Sequence, residues 1–283
     1  MDLRLSAEHR ALRSAFHDWA DDILVPHAIR NDREERFPAE ALAALRAAGY
    51  FGLTIPIEFG GSGADPLSYV LFIEELGRGD PNVRSIVSVH LGLVAGAILR
   101  HGSAEQHKQW LPRMASGEAI GCFGLTEPDY GSDPAGLAAR AERQPGGGYR
   151  ITGRKVFITN GSIAGVALVM ARTGESGARG ISAFLVPADA PGFSAQPIHG
   201  KLGLRSCDTA ELILDAVPVG PEALLGAEAR DCGSRCVRWT TGGCRSLRPA
   251  WESPRPHWTR WSAMPGLGSS SASRSPGISW CRR

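Results

Sequence analysis

Two stretches of this sequence identify its fold: Lys155-Val156-Phe157-Ile158-Thr159-Asn160-Gly161 and, earlier in the chain, Gly124-Leu125-Thr126-Glu127-Pro128-Asp129-Tyr130-Gly131-Ser132-Asp133. In each stretch, small and hydroxyl-bearing residues follow directly on an apolar run. Such a sequence lets backbone N–H groups and side-chain hydroxyls approach a flat ligand with polar edges. The two stretches therefore predict a binding surface for a ligand of that kind.

Length and charge set the limits of the interpretation. With 283 residues the chain is long enough for one large domain or two ordinary ones. Its net charge of +2 gives no indication of nucleic-acid binding. Asp2, Arg4 and Glu8 interrupt the region where a secretory signal needs an apolar stretch. No apolar run approaches the roughly 18–20 residues of a membrane span, so we expect a cytoplasmic protein without one. No cysteine pair has metal-ligand spacing, so we expect no metal site.

Residues 1–120 have the period of helices. Four apolar residues recur at spacings of three and four and form one stripe: Leu12, Phe16, Trp19 and Ile23. Ser103 and Gln106 make a capping-box pattern, which is typical of a helix N-terminus. Residues 86–99 are apolar nearly all round, as expected of a helix buried in a bundle. We therefore predict that residues 1–120 form an N-terminal helical bundle.

From about Cys122 the apolar period changes to two, which indicates strands. Strands are predicted at 149–151, 155–158, 166–171, 182–186 and 211–214. Thr152-Gly153 lies between the first two and is typical of a hairpin turn. We therefore predict a small β-barrel-like domain over residues 121–228, and an α+β fold class for the chain.

The composition changes again from Trp239 onward. These last 45 residues hold five of the seven tryptophans and two of the six cysteines, but no Phe, Tyr or Lys. Disordered segments are usually poor in aromatic residues. A frameshift explains the composition better, because with suitable codons the tail re-reads as an Ala- and Leu-rich helical sequence. We interpret residues 229–283 as an aberrant tail, frameshifted or disordered, and the gene's codons would decide between them.

The quoted stretches resemble two conserved blocks of the acyl-CoA dehydrogenases, a flavoprotein family: Thr-Glu-Pro-x-x-Gly-Ser-Asp and aromatic-Ile-Thr-Asn. Lys201-Leu202-Gly203-Leu204-Arg205, followed by Asp208 and Thr209, is similar to a third block. The resemblance covers residues 1 to about 228. It implies a helical N-terminal domain, a middle β domain and a C-terminal helical domain, and we expect this chain to be truncated before the last.

The resemblance also implies FAD as the cofactor. Leu125 and Thr126 would bond the pyrimidine edge of the flavin, and Thr159 would reach its N5 atom. Ser132 would meet the pyrophosphate and also contact substrate. Phe157 would pack on the ring. The full set of cofactor-binding residues implied is Phe123, Gly124, Leu125, Thr126, Gly131, Ser132, Phe157, Ile158 and Thr159. The structural alternatives are that Thr126 and Thr159 are ordinary strand residues and that Gly131-Ser132 is only a turn.

The reaction implied by the family is α,β-desaturation of an acyl-CoA thioester in fatty acid or amino acid catabolism. Electron-transferring flavoprotein would be the acceptor, and the intact enzyme a homo-oligomer. The family's glutamate base lies on the C-terminal domain, so we predict no catalytic residue here and an inactive chain. Glu127 is expected to fix its loop rather than to act as a base. The alternatives are an acyl-CoA oxidase, a flavin monooxygenase of the same superfamily, or a non-enzymatic remnant.

Overall fold

The computed structural model describes residues 4–175 and 177–228. Helices occupy the first part of this range and strands the second, as the change of apolar period predicts. The helices are α1 (Ala7–Ile23), α2 (Val25–Glu34), α3 (Ala39–Ala47), α4 (Pro66–Gly79), α5 (Pro81–Val87), α6 (Gly96–His101) and α7 (Ala104–Ala115). The frameshift hypothesis concerns residues 229–283, which lie outside the described residues.

The helical core is built from the stripe predicted in α1. Phe16 is buried, and its ring centroid lies 5.0 Å from that of Phe72 in α4. The predicted capping box at the start of α7 is confirmed. The Gln106 backbone N–H donates to the Ser103 hydroxyl at 3.2 Å, and the Ser103 backbone N–H donates to the Gln106 side chain at 2.9 Å. Two N–H groups that a helix N-terminus would leave unpaired are thus satisfied.

The most apolar helix runs without a break from Pro81 to His101. It passes through α5, a π-helical segment (Ser88–Ala95) and α6. By length and composition it could cross a membrane, so the expectation that no apolar run reaches that length is wrong. Within the described residues it is the one helix of this kind, and 56% of its most apolar window is buried inside the protein. Burial on most sides explains an apolar composition all round.

The strands form one mixed sheet. They are β1 (Gly121–Gly124), β2 (Arg140–Arg143), β3 (Tyr149–Thr159), β4 (Val166–Arg172), β5 (Ile181–Pro187), β6 (Phe193–Pro197), β7 (Thr209–Val219) and β8 (Leu224–Leu225). Their order is β6-β7-β3-β2-β4-β5-β8, and β1 pairs with β4. β1 and β2 run parallel to β4, whereas the other pairs are antiparallel. A helical region followed by a β domain confirms the predicted α+β class.

Strand β4 joins the helices to the sheet. Because side chains alternate along a strand, its two faces enter two different cores. Val166, Leu168 and Met170 pack into the core that the helices form. Ala167 and Val169 pack instead into the core of the β domain. Strand β4 is therefore buried on both faces, which explains its uninterrupted apolar sequence.

The hairpin predicted at Thr152-Gly153 is wrong. Strand β3 is continuous from Tyr149 to Thr159 and pairs with β7 on both sides of this position. A Cβ added to Gly153 would lie 2.5 Å from the Cβ of Ala139. Glycine is thus required at this position because the backbone segment around Ala139 approaches closely, and not because β3 turns here.

Candidate functional site

Phe157 is turned out of the sheet by a β-bulge in β3. Lys155 pairs with Leu212 and Ile158 pairs with Ala210. Between these two pairs β3 therefore contains one residue more than β7, which defines a β-bulge. Phe157 occupies this irregularity with φ = 58°. Its side chain is 70% exposed, although large aromatic residues are usually well buried. The bulge therefore presents an aromatic ring to solvent.

The backbone at Phe157 is strained. A left-handed conformation costs a non-glycine residue roughly 1–2 kcal/mol. Strain of this kind persists where the surrounding structure over-determines it, and it clusters at ligand sites. The neighbouring pairs of β3 and β7 supply that constraint here. The conformation of Phe157 thus marks this surface as a candidate ligand site.

The first quoted stretch lies directly beside the second. The Val156 backbone N–H donates to the Thr126 carbonyl at 2.9 Å. Beyond this bond, Glu127 and Tyr130 exchange two backbone hydrogen bonds of 3.0 and 3.2 Å and close a tight turn. The structure therefore brings Thr126 next to Phe157, although about thirty residues separate them in the sequence.

Three hydroxyls of the predicted set make no hydrogen bond within the part of the chain that the structure describes: those of Thr126, Ser132 and Thr159. Thr126 and Thr159 are half-buried and Ser132 is exposed. Gly131 is exposed as well, and a Cβ there would meet nothing within 4 Å. These residues leave donors and space for a ligand.

The other predicted residues face the protein interior. Leu125 packs into the helical core with 8% of its surface exposed, and Phe123 packs against the same core. Ile158 is buried in the β core with 3% exposed. Gly124 is buried, and a Cβ there would lie 3.4 Å from the Cγ of Lys155. Their side chains serve packing, so only their backbone groups are suited to hold a ligand.

A buried ion pair lies behind this surface. The Lys155 Nζ donates to the Glu127 Oε1 at 2.7 Å, and both side chains are almost completely buried. Glu127 Oε1 also accepts the Ala139 N–H at 2.9 Å, and Oε2 accepts the Ala138 N–H at 2.6 Å. Burial lowers the pKa of Lys155 to about 8, and the adjacent Glu127 carboxylate limits that fall. Glu127 therefore fixes its loop, as the sequence interpretation expected.

Sequence reasoning missed Lys155, although a signal was present. Tyr149, Ile151 and Lys155 share one phase of the alternating strand, and the first two are buried. A lysine at a position where the strand alternation predicts burial needs an acidic or hydrogen-bonding partner, because an unpaired buried charge is very unfavourable. The spacing therefore implied a buried acidic partner for Lys155, and Glu127 is that partner.

Arg172 holds the loop that follows Ser132. Its Nη2 donates to the carbonyls of Ala135 at 2.9 Å and Leu137 at 3.0 Å. Its Nη1 donates to the carbonyl of Glu175 at 2.7 Å. Within the described residues no carboxylate is paired with this guanidinium. The guanidinium thus donates five hydrogen bonds, all to carbonyl oxygens, and Arg172 fixes this loop to the end of β4.

Asn160, directly after Thr159, attaches the β domain to the helices. Its Nδ2 donates to the carbonyls of Ile86 and Gly121, both at 3.0 Å, and the side chain is fully buried. The residue has φ = 67°, a conformation that asparagine tolerates better than most residues. Asn160 thus fixes the end of β3 against a helix and β1.

Two family models match the sequence. The acyl-CoA dehydrogenase N-terminal domain matches residues 6–118, and the acyl-CoA dehydrogenase middle domain matches residues 122–217. The chain belongs to the acyl-CoA dehydrogenase family. The resemblance found in the sequence is confirmed, and the two matched domains correspond to the helices and to most of the sheet of this family member.

Individual relatives agree with this assignment. The mitochondrial short-chain specific acyl-CoA dehydrogenase of Bos taurus is 39% identical over 225 residues, 79% of this chain and 54% of the relative. A glutaryl-CoA dehydrogenase of Mycobacterium smegmatis, solved in complex with FADH2, has a TM-score of 0.76 and 40% identity over 83% of this chain and 59% of its own.

A third relative comes from a structure described as the electron transferring flavoprotein of Acidaminococcus fermentans. It has a TM-score of 0.81 and 34% identity, and covers 87% of this chain and 64% of its own. The chain thus spans about half to two thirds of the length of these three relatives.

Proposed function

We propose that this chain binds FAD on the surface around Phe157 and that this surface is one wall of an acyl-CoA dehydrogenase active site. The observation that carries the proposal is the exposed Phe157, held at positive φ beside the unpaired hydroxyls of Thr126 and Thr159. An aromatic ring with hydroxyl donors at its margin complements the apolar face and polar edge of a flavin. The Mycobacterium smegmatis relative, solved with FADH2, supports the choice of cofactor.

Each residue of the surface has a distinct role in the proposal. The Leu125 N–H and Thr126 hydroxyl would bond the pyrimidine edge of the flavin, and the Thr159 hydroxyl would bond its N5 atom. Ser132 would meet the pyrophosphate, where a hydroxyl and backbone donors suit an anion. Bound FAD would supply the hydride acceptor for the β hydrogen of the acyl thioester. The residues of the chain orient the ring and leave one of its faces to the substrate.

Glu127 is not available as the base of this reaction. Its carboxylate accepts hydrogen bonds from Lys155, Ala138 and Ala139 and is 5% exposed. A general base needs to reach the proton that it abstracts. We therefore place the base in the C-terminal helical region that the family resemblance implies. We also propose that this chain by itself does not turn over acyl-CoA.

The partners follow from the family. We propose an acyl-CoA thioester as the substrate and electron-transferring flavoprotein as the acceptor; the Bos taurus and Acidaminococcus fermentans relatives support these choices by their names. We further propose that the family assembly is a homo-oligomer. We also propose a cytoplasmic setting.

FAD titration of the purified, flavin-free chain tests the proposed site. We expect binding, observed as quenching of flavin fluorescence, and we expect Thr126→Val to weaken it about five-fold. A typical hydrogen bond contributes about 1 kcal/mol, and valine matches threonine in size but lacks the hydroxyl. The Thr126 hydroxyl has no partner in the described protein, so the free energy of unfolding should remain within about 0.5 kcal/mol of wild type.

Thr152→Val is the matched control for this titration. Thr152 lies in β3, the strand that also carries Phe157 and Thr159, is exposed, and is outside the predicted site. It should bind FAD as the wild type does. A wild-type chain that folds but does not bind FAD would refute the proposed function.

Replacing Phe157 separates flavin binding from stability. Phe157→Gly removes the ring and relieves the positive φ, so the free energy of unfolding should stay constant or rise by about 1 kcal/mol. FAD affinity should fall by up to about ten-fold, because aromatic stacking contributes roughly 0.5–1.5 kcal/mol beyond area burial. Denaturant unfolding and FAD titration measure the two effects.

Phe157→Ala is the companion variant, because it removes the same ring and keeps the strained conformation. It should lose as much FAD affinity as the glycine variant and be about 1 kcal/mol less stable. Equal FAD affinity in wild type and both variants would exclude contact between Phe157 and the flavin.

A further inference from the structure

Lys155 carries a fully buried positive charge directly behind the proposed flavin surface. Its Nζ contacts two oxygens, Glu127 Oε1 at 2.7 Å and the Leu125 carbonyl at 3.2 Å. Both oxygens belong to the loop that turns beside Phe157. Lys155, on strand β3, therefore binds this loop through two hydrogen bonds.

Glu127 connects the loop to a third segment of the chain by further hydrogen bonds. Its carboxylate accepts the backbone N–H groups of Ala138 and Ala139, which lie just before β2. Strand β3, the loop and the approach to β2 are thus joined through one pair of side chains. The one backbone bond described between β3 and the loop is the 2.9 Å bond from Val156 to Thr126. Most of the polar contacts that set the position of the loop therefore come from the ion pair.

Stability alone does not explain an ion pair at this place. Buried ion pairs are weak contributors to stability, and well-packed apolar residues of similar volume often replace them without loss. An apolar pair would nevertheless give the loop no directional contact. Charge-assisted hydrogen bonds fix the distance and direction of the groups they join.

We propose that Lys155 and Glu127 are positioning residues that hold residues 125–130 against β3, so that Thr126 lies beside Phe157 before any ligand binds. The inference rests on the proposed function in that this loop is taken to face the flavin. Neither side chain touches the ligand. Both act through the backbone of the loop.

Hydrogen exchange on the flavin-free chain tests this placement. Lys155→Met leaves Glu127 buried without its partner, and the double variant Lys155→Met/Glu127→Gln removes that unpaired charge. We expect the backbone N–H groups of residues 125–127, 129 and 130 to exchange at least about ten-fold faster in both variants, because hydrogen bonds to charged groups contribute roughly 1.5–3 kcal/mol. We expect FAD affinity to fall by a similar factor, and the double variant to recover part of the thermal stability that the single variant loses.

Leu214→Ala is the control for a general loss of stability. Leu214 is buried in the β core, lies opposite Gly153 in the pairing of β3 with β7, and takes no part in the ion pair. This variant should unfold at a lower temperature, yet its loop amides should exchange at the wild-type rate and FAD should bind with wild-type affinity.

The outcomes separate the two proposals. Wild-type exchange in the double variant, or equally fast loop exchange in Leu214→Ala, would overturn the positioning role. Fast loop exchange in the Lys155 variants together with a wild-type chain that does not bind FAD would support the positioning role and refute only the proposed function.

Discussion

Asn160→Ala should lower the free energy of unfolding by about 3 kcal/mol, because the loss of two buried hydrogen bonds is partly offset by removal of the Asn160 Oδ1, a buried oxygen without a partner in the described residues. The substitution removes the donor for two buried carbonyls, those of Ile86 and Gly121. A buried polar group without a partner costs roughly 1–3 kcal/mol. Alanine must also adopt φ = 67°, which adds about 1 kcal/mol. Denaturant unfolding at neutral pH measures the sum.

Asn160→Gly divides this effect into its two causes. Glycine adopts positive φ without a penalty but lacks the amide donor. It should therefore be about 1 kcal/mol more stable than the alanine variant and still well below wild type. An alanine variant within about 1 kcal/mol of wild type would show that the two carbonyls find other donors.

The same contact connects stability with the candidate site. Asn160 directly follows Thr159, whose hydroxyl we assign to the flavin N5. Its two acceptors lie in α5 and at the start of β1, so it fixes the end of β3 relative to both. We expect FAD affinity to fall in the Asn160 variants in proportion to the loss of this anchor.

Local sequence rules predicted the elements well. The prediction of the capping box at Ser103 depends on residues three apart, and that of the strands 166–171 and 182–186 on the change of apolar period. The structure places β4 and β5 within one residue of those bounds at each end. Interactions between residues of the same helical turn or the same strand can be predicted from the sequence, because the spacing of apolar and polar residues indicates them.

The features of the site that local rules missed depend on distant partners. The bulge at Phe157 is defined by the register between β3 and β7, which no local pattern encodes. Asn160 bonds a carbonyl 74 positions away, and Glu127 lies 28 positions from Lys155. Gly153 signalled a turn because glycine permits turns, but here it accommodates Ala139. Side-chain contacts of this kind can be identified only once the packing of the helices and strands is known.

His90 is the second buried group on which stability depends strongly, and its geometry defines its protonation state. Its Nδ1 accepts the Gly121 N–H at 3.1 Å, and its Nε2 donates to the Phe51 carbonyl at 3.2 Å. Because an N–H is only a donor and a carbonyl only an acceptor, the ring is neutral with its proton on Nε2. A second proton on Nδ1 would point at the Gly121 donor.

The direction of the pH effect follows from this geometry. Burial lowers the pKa of His90 from 6.5 to about 4. Between these values the unfolded chain binds a proton that the folded chain does not. The neutral ring therefore contributes stability that is fully present above about pH 6.5 and is lost as the pH falls towards 4. The difference in pKa corresponds to about 3 kcal/mol.

Unfolding measured at several pH values between 4 and 7 tests this prediction. His90→Gln has no titrating ring, so its free energy of unfolding should fall by about 3 kcal/mol less than that of wild type across this interval. His27→Gln is the control, because His27 is exposed in the folded chain and should leave the wild-type pH dependence unchanged. Parallel curves for wild type and His90→Gln would contradict a neutral buried His90. A curve that flattens only in the His90 variant would show that the contact between β1 and the helices senses acid through this ring.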